Sequence, residues 1–211
     1  HETKHMLMDN KSLFKKLENE TLGKTEFFKV KARDGVVLDG YIMRPPNFTA
    51  DKKYPIVFYV YGEAVGQTVN DRFSSRSYMW AQMMAQKGYL VASIDNRGTA
   101  VPKGRAWRKS IYGAVGVLSS RDQYDALQAM AKRWSYIDTD KVGIWGHSGG
   151  GSMTLNMLFR YPEHYHVGVS LAPVPDQRLY DTIYQERYSG LLEDYADGYK
   201  EGSPITHAKN L

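Results

Sequence analysis

Val142-Gly143-Ile144-Trp145-Gly146-His147-Ser148-Gly149-Gly150-Gly151 decides the reading of this chain. An apolar β-run climbs into a Gly-x-Ser-x-Gly pentapeptide. A helical pattern follows at once through Met153, Leu155, Met157, Leu158 and Phe159. Strand, tight turn and helix in that order are the sequence form of a nucleophile elbow. Gly146 and Gly150 stand where a Cβ would collide with so sharp a turn. The hydroxyl of Ser148 then projects from the top of a sheet. The helix that follows aims its first amides at the same place, where they can stabilise negative charge. Two other glycine motifs fail on spelling: a dinucleotide loop needs glycine at Ser148, and a phosphate loop needs lysine at Ser152. A purely structural glycine-rich turn stays open as the bland alternative.

The chain has 211 residues, 42% of them hydrophobic and 13% aromatic, enough to bury a core and too apolar for a disordered segment. Its net charge is +5, but 28 basic and 23 acidic residues are interspersed. No basic run interleaves with aromatics, so no nucleic-acid partner is expected. The absence of cysteine excludes disulfides, thiolate chemistry and cysteine-based zinc sites. No stretch approaches the ~20 apolar residues of a membrane span. The start, His1-Glu2-Thr3-Lys4-His5-Met6, lacks a signal-peptide layout and reads as the beginning of a fragment.

Outward from the elbow, β-like and helical patterns alternate. Residues 10–17 form a helical or irregular lead-in, and residues 1–21 are set apart as a lead-in segment from a domain over 22–211. Strands are predicted at 25–32 and 36–44, joined at Asp34-Gly35, a hairpin signal. Buried strands are predicted at 55–61, 89–94 and 166–172, with a loop over 62–73. A helix over 78–87 carries Met79, Trp80, Met83 and Met84 on its apolar side and stops at Gly88. Residues 99–120 read as loop with a short helix near Trp107. Residues 121–134 form an amphipathic helix through Tyr124, Leu127, Met130 and Ala131. Asp138-Thr139-Asp140 reads as the turn into the elbow strand, 177–188 as helical, and 190–211 as irregular. Such alternation implies an α/β protein, a mostly parallel sheet with helices on both faces. Ligands bind such sheets beyond the carboxyl ends of their strands, where Tyr61, Asp95, Ser148 and Ala172 fall.

A serine hydroxyl needs a base, usually a histidine oriented by a carboxylate. In a sheet of this kind the order is serine, acid, histidine. His147 is expected to point away from Ser148 and to pack. His164 and His166 read as surface or core-edge residues. His207, with Asp176 or Asp181, is the one late candidate. The preferred reading places acid and base beyond Leu211, with the last strands of the sheet missing.

Five stretches carry a family resemblance: Tyr59-Val60-Tyr61-Gly62, Asp95-Asn96-Arg97-Gly98, Gly146 to Gly151, Ala172-Pro173-Val174, and Tyr180-Asp181-Thr182-Ile183-Tyr184-Gln185-Glu186-Arg187-Tyr188. With them the chain, from about Leu22 to its end, resembles the catalytic domain of the prolyl oligopeptidase family, most closely its dipeptidyl peptidase IV branch. The resemblance implies an α/β-hydrolase fold, no metal or other cofactor, and peptide hydrolysis through an acyl-enzyme after proline or a small residue near the N-terminus. By position it implies Ser148 as nucleophile, the Gly149 amide and Tyr61 hydroxyl as oxyanion donors, and Val174, Tyr180 and Tyr184 as the proline pocket. Tyr180 and Tyr184, four apart on the expected helix, would share a face. Asp181, Glu186 and Arg187 are expected to brace that helix.

The chain also departs from the family pattern. Glu63-Ala64 stands for Gly-Pro, implying a reshaped loop beside Tyr61. Gly149 stands for a tyrosine, and Gln177 for a pocket tryptophan. The partners implied are peptide substrates, an N-terminal β-propeller of the parent protein and a second copy in a homodimer, in a periplasmic or secreted setting. The alternatives are an acyl-peptide or oligopeptide hydrolase of the same family, and a non-catalytic hydrolase-like domain.

Overall fold

The computed structural model describes residues 5–72 and 75–211. The first residues of the lead-in and the end of the loop predicted over 62–73 lie outside them. The elements in chain order are α1 (Lys11–Leu17), β1 (Lys24–Lys31), β2 (Val37–Arg44), β3 (Tyr54–Tyr59), α2 (Ser75–Gln86) and β4 (Leu90–Asp95). They continue with α3 (Gly104–Lys109), α4 (Val117–Arg133), β5 (Ile137–His147), α5 (Gly149–Arg160), β6 (Val167–Leu171), α6 (Thr182–Ser189) and α7 (Leu192–Gly202). Short 3₁₀ turns cover Gln177–Leu179 and Pro204–Asn210.

The six strands make one sheet in the order β1-β2-β4-β3-β5-β6. β1 and β2 form the hairpin that Asp34-Gly35 predicts, in register from Lys24 opposite Arg44 to Lys31 opposite Val37. β2 pairs antiparallel with β4, while β4, β3, β5 and β6 run parallel. Alternation along the strands sorts the two faces. Ile42, Ala92, Phe58 and Ile144 join a core with Leu127 and Met130 of α4 and Met153 and Met157 of α5. Met43 and Val91 face the other way, against Ala81 and Ala85 of α2. Helices therefore cover both faces, and β4, deepest in the sheet, is buried at every residue.

Four local expectations are corrected. On α2, Met79 and Met83 are exposed, and the face that meets the sheet is Trp80, Ala81, Met84 and Ala85. Small residues at 81 and 85 let the helix settle on the sheet, which turns the methionine stripe aside. Asp138-Thr139-Asp140 lies inside β5, yet the pairing slips there, from Tyr54 opposite Ile137 to Ile56 opposite Val142. The turn chemistry survives as a bulge, with the Asp140 amide donating to the Asp138 side chain at 3.2 Å. β6 is not buried: Val167, Val169 and Leu171 are 65%, 54% and 45% exposed. Its other face holds Gly168, whose missing side chain makes room for Leu158 of α5. Residues 190–211 are largely helical. Gly198 and Gly202 suggest irregular chain, but they let α7 press on the carbonyls of Gly113 and Val115, where a Cβ would lie 1.7 and 1.9 Å away.

The charged turn after β4 ties the layers together. The Arg97 side chain donates to Asp122 of α4 at 2.9 and 2.6 Å, its backbone amide donates to the same carboxylate, and it pairs with Asp34 at 2.8 Å. Asp122 is fully buried. These carboxylates raise the Arg97 pKa, with Asp122 the largest cause. Asp122→Ala is expected to destabilise the chain by about 2 to 3 kcal/mol, because it removes the buried partner of a guanidinium left with Asp34 alone. Urea denaturation midpoints of the two proteins would measure it.

Candidate active site

Ser148 sits between β5 and α5 with φ 58° and ψ −121°. A serine held in that region is strained by about 1 to 3 kcal/mol, the sign of a turn fixed by its surroundings. Its amide donates to the Leu171 carbonyl at 2.8 Å and its carbonyl accepts from the Ser152 amide at 3.0 Å. The glycines around it have no room for side chains. A Cβ at Gly146 would lie 2.4 Å from the carbonyl oxygens of Gly150 and Val60, and one at Gly150 would lie 2.2 Å from that of Val60. The elbow is therefore locked against the end of β3. Ala172, across the opening, also holds a left-handed φ of 45°.

Tyr61 follows β3 at its carboxyl end. Burial raises the Tyr61 phenol above its ordinary pKa, the charge of Glu63 adds to this, and the Ser148 side chain opposes both. The Tyr61 loop is braced from below. The Asn96 amide donates to the Gly62 carbonyl at 2.9 Å and accepts from Gln123 at 2.9 Å. Asp95 accepts from the backbone amides of Thr68 and Val69 at 2.9 and 3.1 Å. Burial raises the Asp95 pKa, and those bonds hold it back. A charged cluster directly after an apolar strand was the signal for this brace, although the sequence alone reads only a turn.

A cavity of about 360 Å³ opens beside the serine, lined by His147, Ser148, Ala172 to Asp176, Leu179 and Tyr180. It brings Ser148 together with Val174 and Tyr180. Tyr184 stands behind, with its ring 5.5 Å from that of Tyr180 and nearly perpendicular to it. The two are neighbours for a reason other than the one expected. Tyr180 precedes the helix in extended chain, and α6 begins only after Asp181, which caps it by accepting the Tyr184 amide at 2.8 Å. Tyr184 donates its hydroxyl to Glu63 at 2.6 Å. Larger hollows, about 410 and 530 Å³, lie along β1 and β2, the first reaching α2. Neither includes Ser148, and the site is assigned on chemistry rather than size.

The late triad candidates are engaged elsewhere. Asp176 is held by Arg178 at 2.6 Å, which keeps its carboxyl below the usual range. His207 Nε2 meets the Glu201 carbonyl at 3.0 Å, on the turn packed against α5. His147 is exposed at the rim of the cavity rather than packed. His164 and His166 lie at the surface and its edge, as expected. Among the described residues no cluster of histidine and carboxylate groups could hold a metal, and no helix is long and apolar enough to cross a membrane.

The sequence profile described as the prolyl oligopeptidase family matches residues 74–211. The chain belongs to that family. Among curated relatives, dipeptidyl peptidase 4 of Trichophyton rubrum is 38% identical over 199 residues, covering 92% of this chain and 25% of the relative. The probable dipeptidyl-aminopeptidase B of Talaromyces marneffei is 37% identical, covering 94% of this chain and 22% of its own length. The crystal structure of Porphyromonas gingivalis dipeptidyl peptidase 4 superposes with a TM-score of 0.89 at 36% identity, over 97% of this chain and 28% of that one. A dipeptidyl aminopeptidase IV from Bacteroides ovatus, described as putative, gives 0.86 at 34% identity, over 92% and 27%. The α/β-hydrolase fold implied by the resemblance is thus the fold of this chain. The chain spans about a quarter of the length of these relatives.

Proposed function

We propose that this chain is the nucleophile-bearing part of a serine peptidase that releases dipeptides from peptide N-termini through an acyl-enzyme. The observation that carries the reading is Ser148, strained in its elbow beside an open cavity and acting on the Tyr61 phenol. In the reaction, Ser148 Oγ attacks the peptide carbonyl while a base takes its proton. The carbonyl oxygen becomes an anion, and the Tyr61 hydroxyl and the Gly149 amide stabilise it. Val174, Tyr180 and Tyr184 offer apolar and aromatic walls to the residue before the scissile bond, suited to a flat pyrrolidine ring. In this proposal acid and base come from chain beyond residue 211 that pairs with β6, the strand at the end of the sheet. Residues 22–211 form the domain and 1–21 its lead-in. A β-propeller before the domain, and a second copy of the parent, complete the assembly.

The test is fluorophosphonate labelling of the full-length parent. Ser148→Ala is expected to remove labelling, and peptide hydrolysis should fall about 10⁴-fold or more. Tyr61→Phe keeps the ring and removes the donor, so acylation should slow about 10² to 10³-fold with little change in substrate binding. Labelling that survives Ser148→Ala overturns the proposal.

The departures from the family pattern at Gln177 and Gly149 favour one second reading, an acyl-peptide or oligopeptide hydrolase. Cleavage of chromogenic Gly-Pro and Ala-Ala dipeptides supports the first reading. Activity on blocked N-termini alone supports the second.

A further inference from the structure

Glu63 is a buried acid in the middle of this site, and the reaction described above does not use it. It is 3% exposed. Its Oε2 accepts the Tyr184 hydroxyl at 2.6 Å. The same oxygen occupies the space over the elbow: a Cβ at Gly149 would lie 2.6 Å from Oε2 and 2.8 Å from Cδ. A side chain at 149 would meet the Glu63 carboxyl where it now lies, and the carboxyl would have to swing away. The two departures from the family pattern, Glu63 and Gly149, are thus neighbours in space. Glu63 is set against two parts of the site, the wall tyrosine and the glycine that follows Ser148, and its charge also acts on Tyr61.

We propose that Glu63 is a positioning residue for the serine-peptidase reaction, wedged over Gly149 so that its carboxyl anchors Tyr184 and its charge state governs how well the Tyr61 hydroxyl and Gly149 amide hold an anion. The proposal rests on the serine-peptidase reading of the site. Two negative charges close together in a dry pocket repel strongly, so an ionised Glu63 opposes the intermediate and a neutral one does not. Burial pushes the carboxyl up to about 7, and the hydrogen bond from Tyr184 holds it from rising further. The titratable groups facing it are phenols. Tyr184 and Tyr61 are both raised by burial first and by Glu63 next. Tyr180 and Tyr188 pack on Tyr184, and Arg187 lies over the Tyr188 ring at 5.5 Å. The switch in charge therefore falls near neutral pH.

The experiment is the rate of fluorophosphonate labelling of Ser148 in the full-length parent, from about pH 5.5 to about pH 8.5, for wild type, Glu63→Gln and Tyr184→Phe. The histidine base raises the rate with pH in all three. The ratio of Glu63→Gln to wild type isolates the carboxyl, and is expected to climb roughly tenfold or more as pH passes about 7. Tyr184→Phe removes the bond that favours the ionised form, so its own loss of rate should move to higher pH. An infrared titration of the protonated-carboxyl stretch, wild type minus Glu63→Gln, reads the same proton without any reaction. A ratio that stays flat across the range, with labelling intact, overturns this proposal and leaves the peptidase reading standing. So does a carboxyl band already lost by about pH 5. No labelling of wild type at any pH overturns the peptidase reading, and this proposal with it.

Discussion

Gly150→Ala is expected to lose about 3 to 5 kcal/mol of stability, more than most single methyl additions. The added Cβ would lie 2.2 Å from the Val60 carbonyl oxygen and 3.1 Å from its carbon. These atoms are backbone at the end of a central strand, where the Val60 amide is bonded to the Trp145 carbonyl at 3.0 Å. No rotamer change relieves such a contact, so either β3 or the elbow must move. Moving the elbow also releases the strain on Ser148, so any folded fraction should show changed surroundings of the Tyr61 phenol. Guanidinium midpoints measure the first effect, and a tyrosine difference spectrum the second. A variant with wild-type stability would mean that the elbow is not seated against β3.

Glu63→Gln is expected to stabilise the chain at pH 8 by about 2 to 3 kcal/mol and to change little at pH 4. The carboxyl titrates at about 7 when folded, against the ordinary 4.5 of an unfolded glutamate. Between those values the folded chain holds a proton that the unfolded chain has released. Wild-type stability therefore falls as pH rises from about 4.5 to about 7 and then levels off. Glutamine is neutral throughout, keeps an acceptor for the Tyr184 hydroxyl, and should lack that decline. Urea midpoints at several pH values check it. Parallel pH curves for the two proteins would show that the acid is not desolvated as its burial implies.

The fold was legible because its core follows local rules. Apolar runs such as Leu90 to Ile94, a turn at Asp34-Gly35 and the elbow spelling each report on neighbours in sequence. What was hidden depends on partners far along the chain. β6 has the same apolar composition as a buried strand, and only its place at the side of the sheet exposes it. Residues 190–211 read as irregular, because nothing nearby announces that Gly198 and Gly202 will meet two carbonyls from the 113–115 turn. In the site, the elbow motif singled out Ser148, a strand end singled out Tyr61, Val174 came in only through the family resemblance, and Tyr180 meets Tyr184 despite lying outside the helix. Glu63 was visible only as a departure from a pattern. Its meaning comes from Gly149 and Tyr184, which are remote in sequence and adjacent in space.

β6 has one further consequence, for how the segment behaves in isolation. At the end of the sheet, its outward row of Val167, Val169 and Leu171 offers a greasy surface to any extended chain. Produced alone, the protein would stay in solution only while dilute, and the first species to form on concentration would be joined through this strand. A lysine at Val169 would keep such preparations clear by making that meeting electrostatically unwelcome.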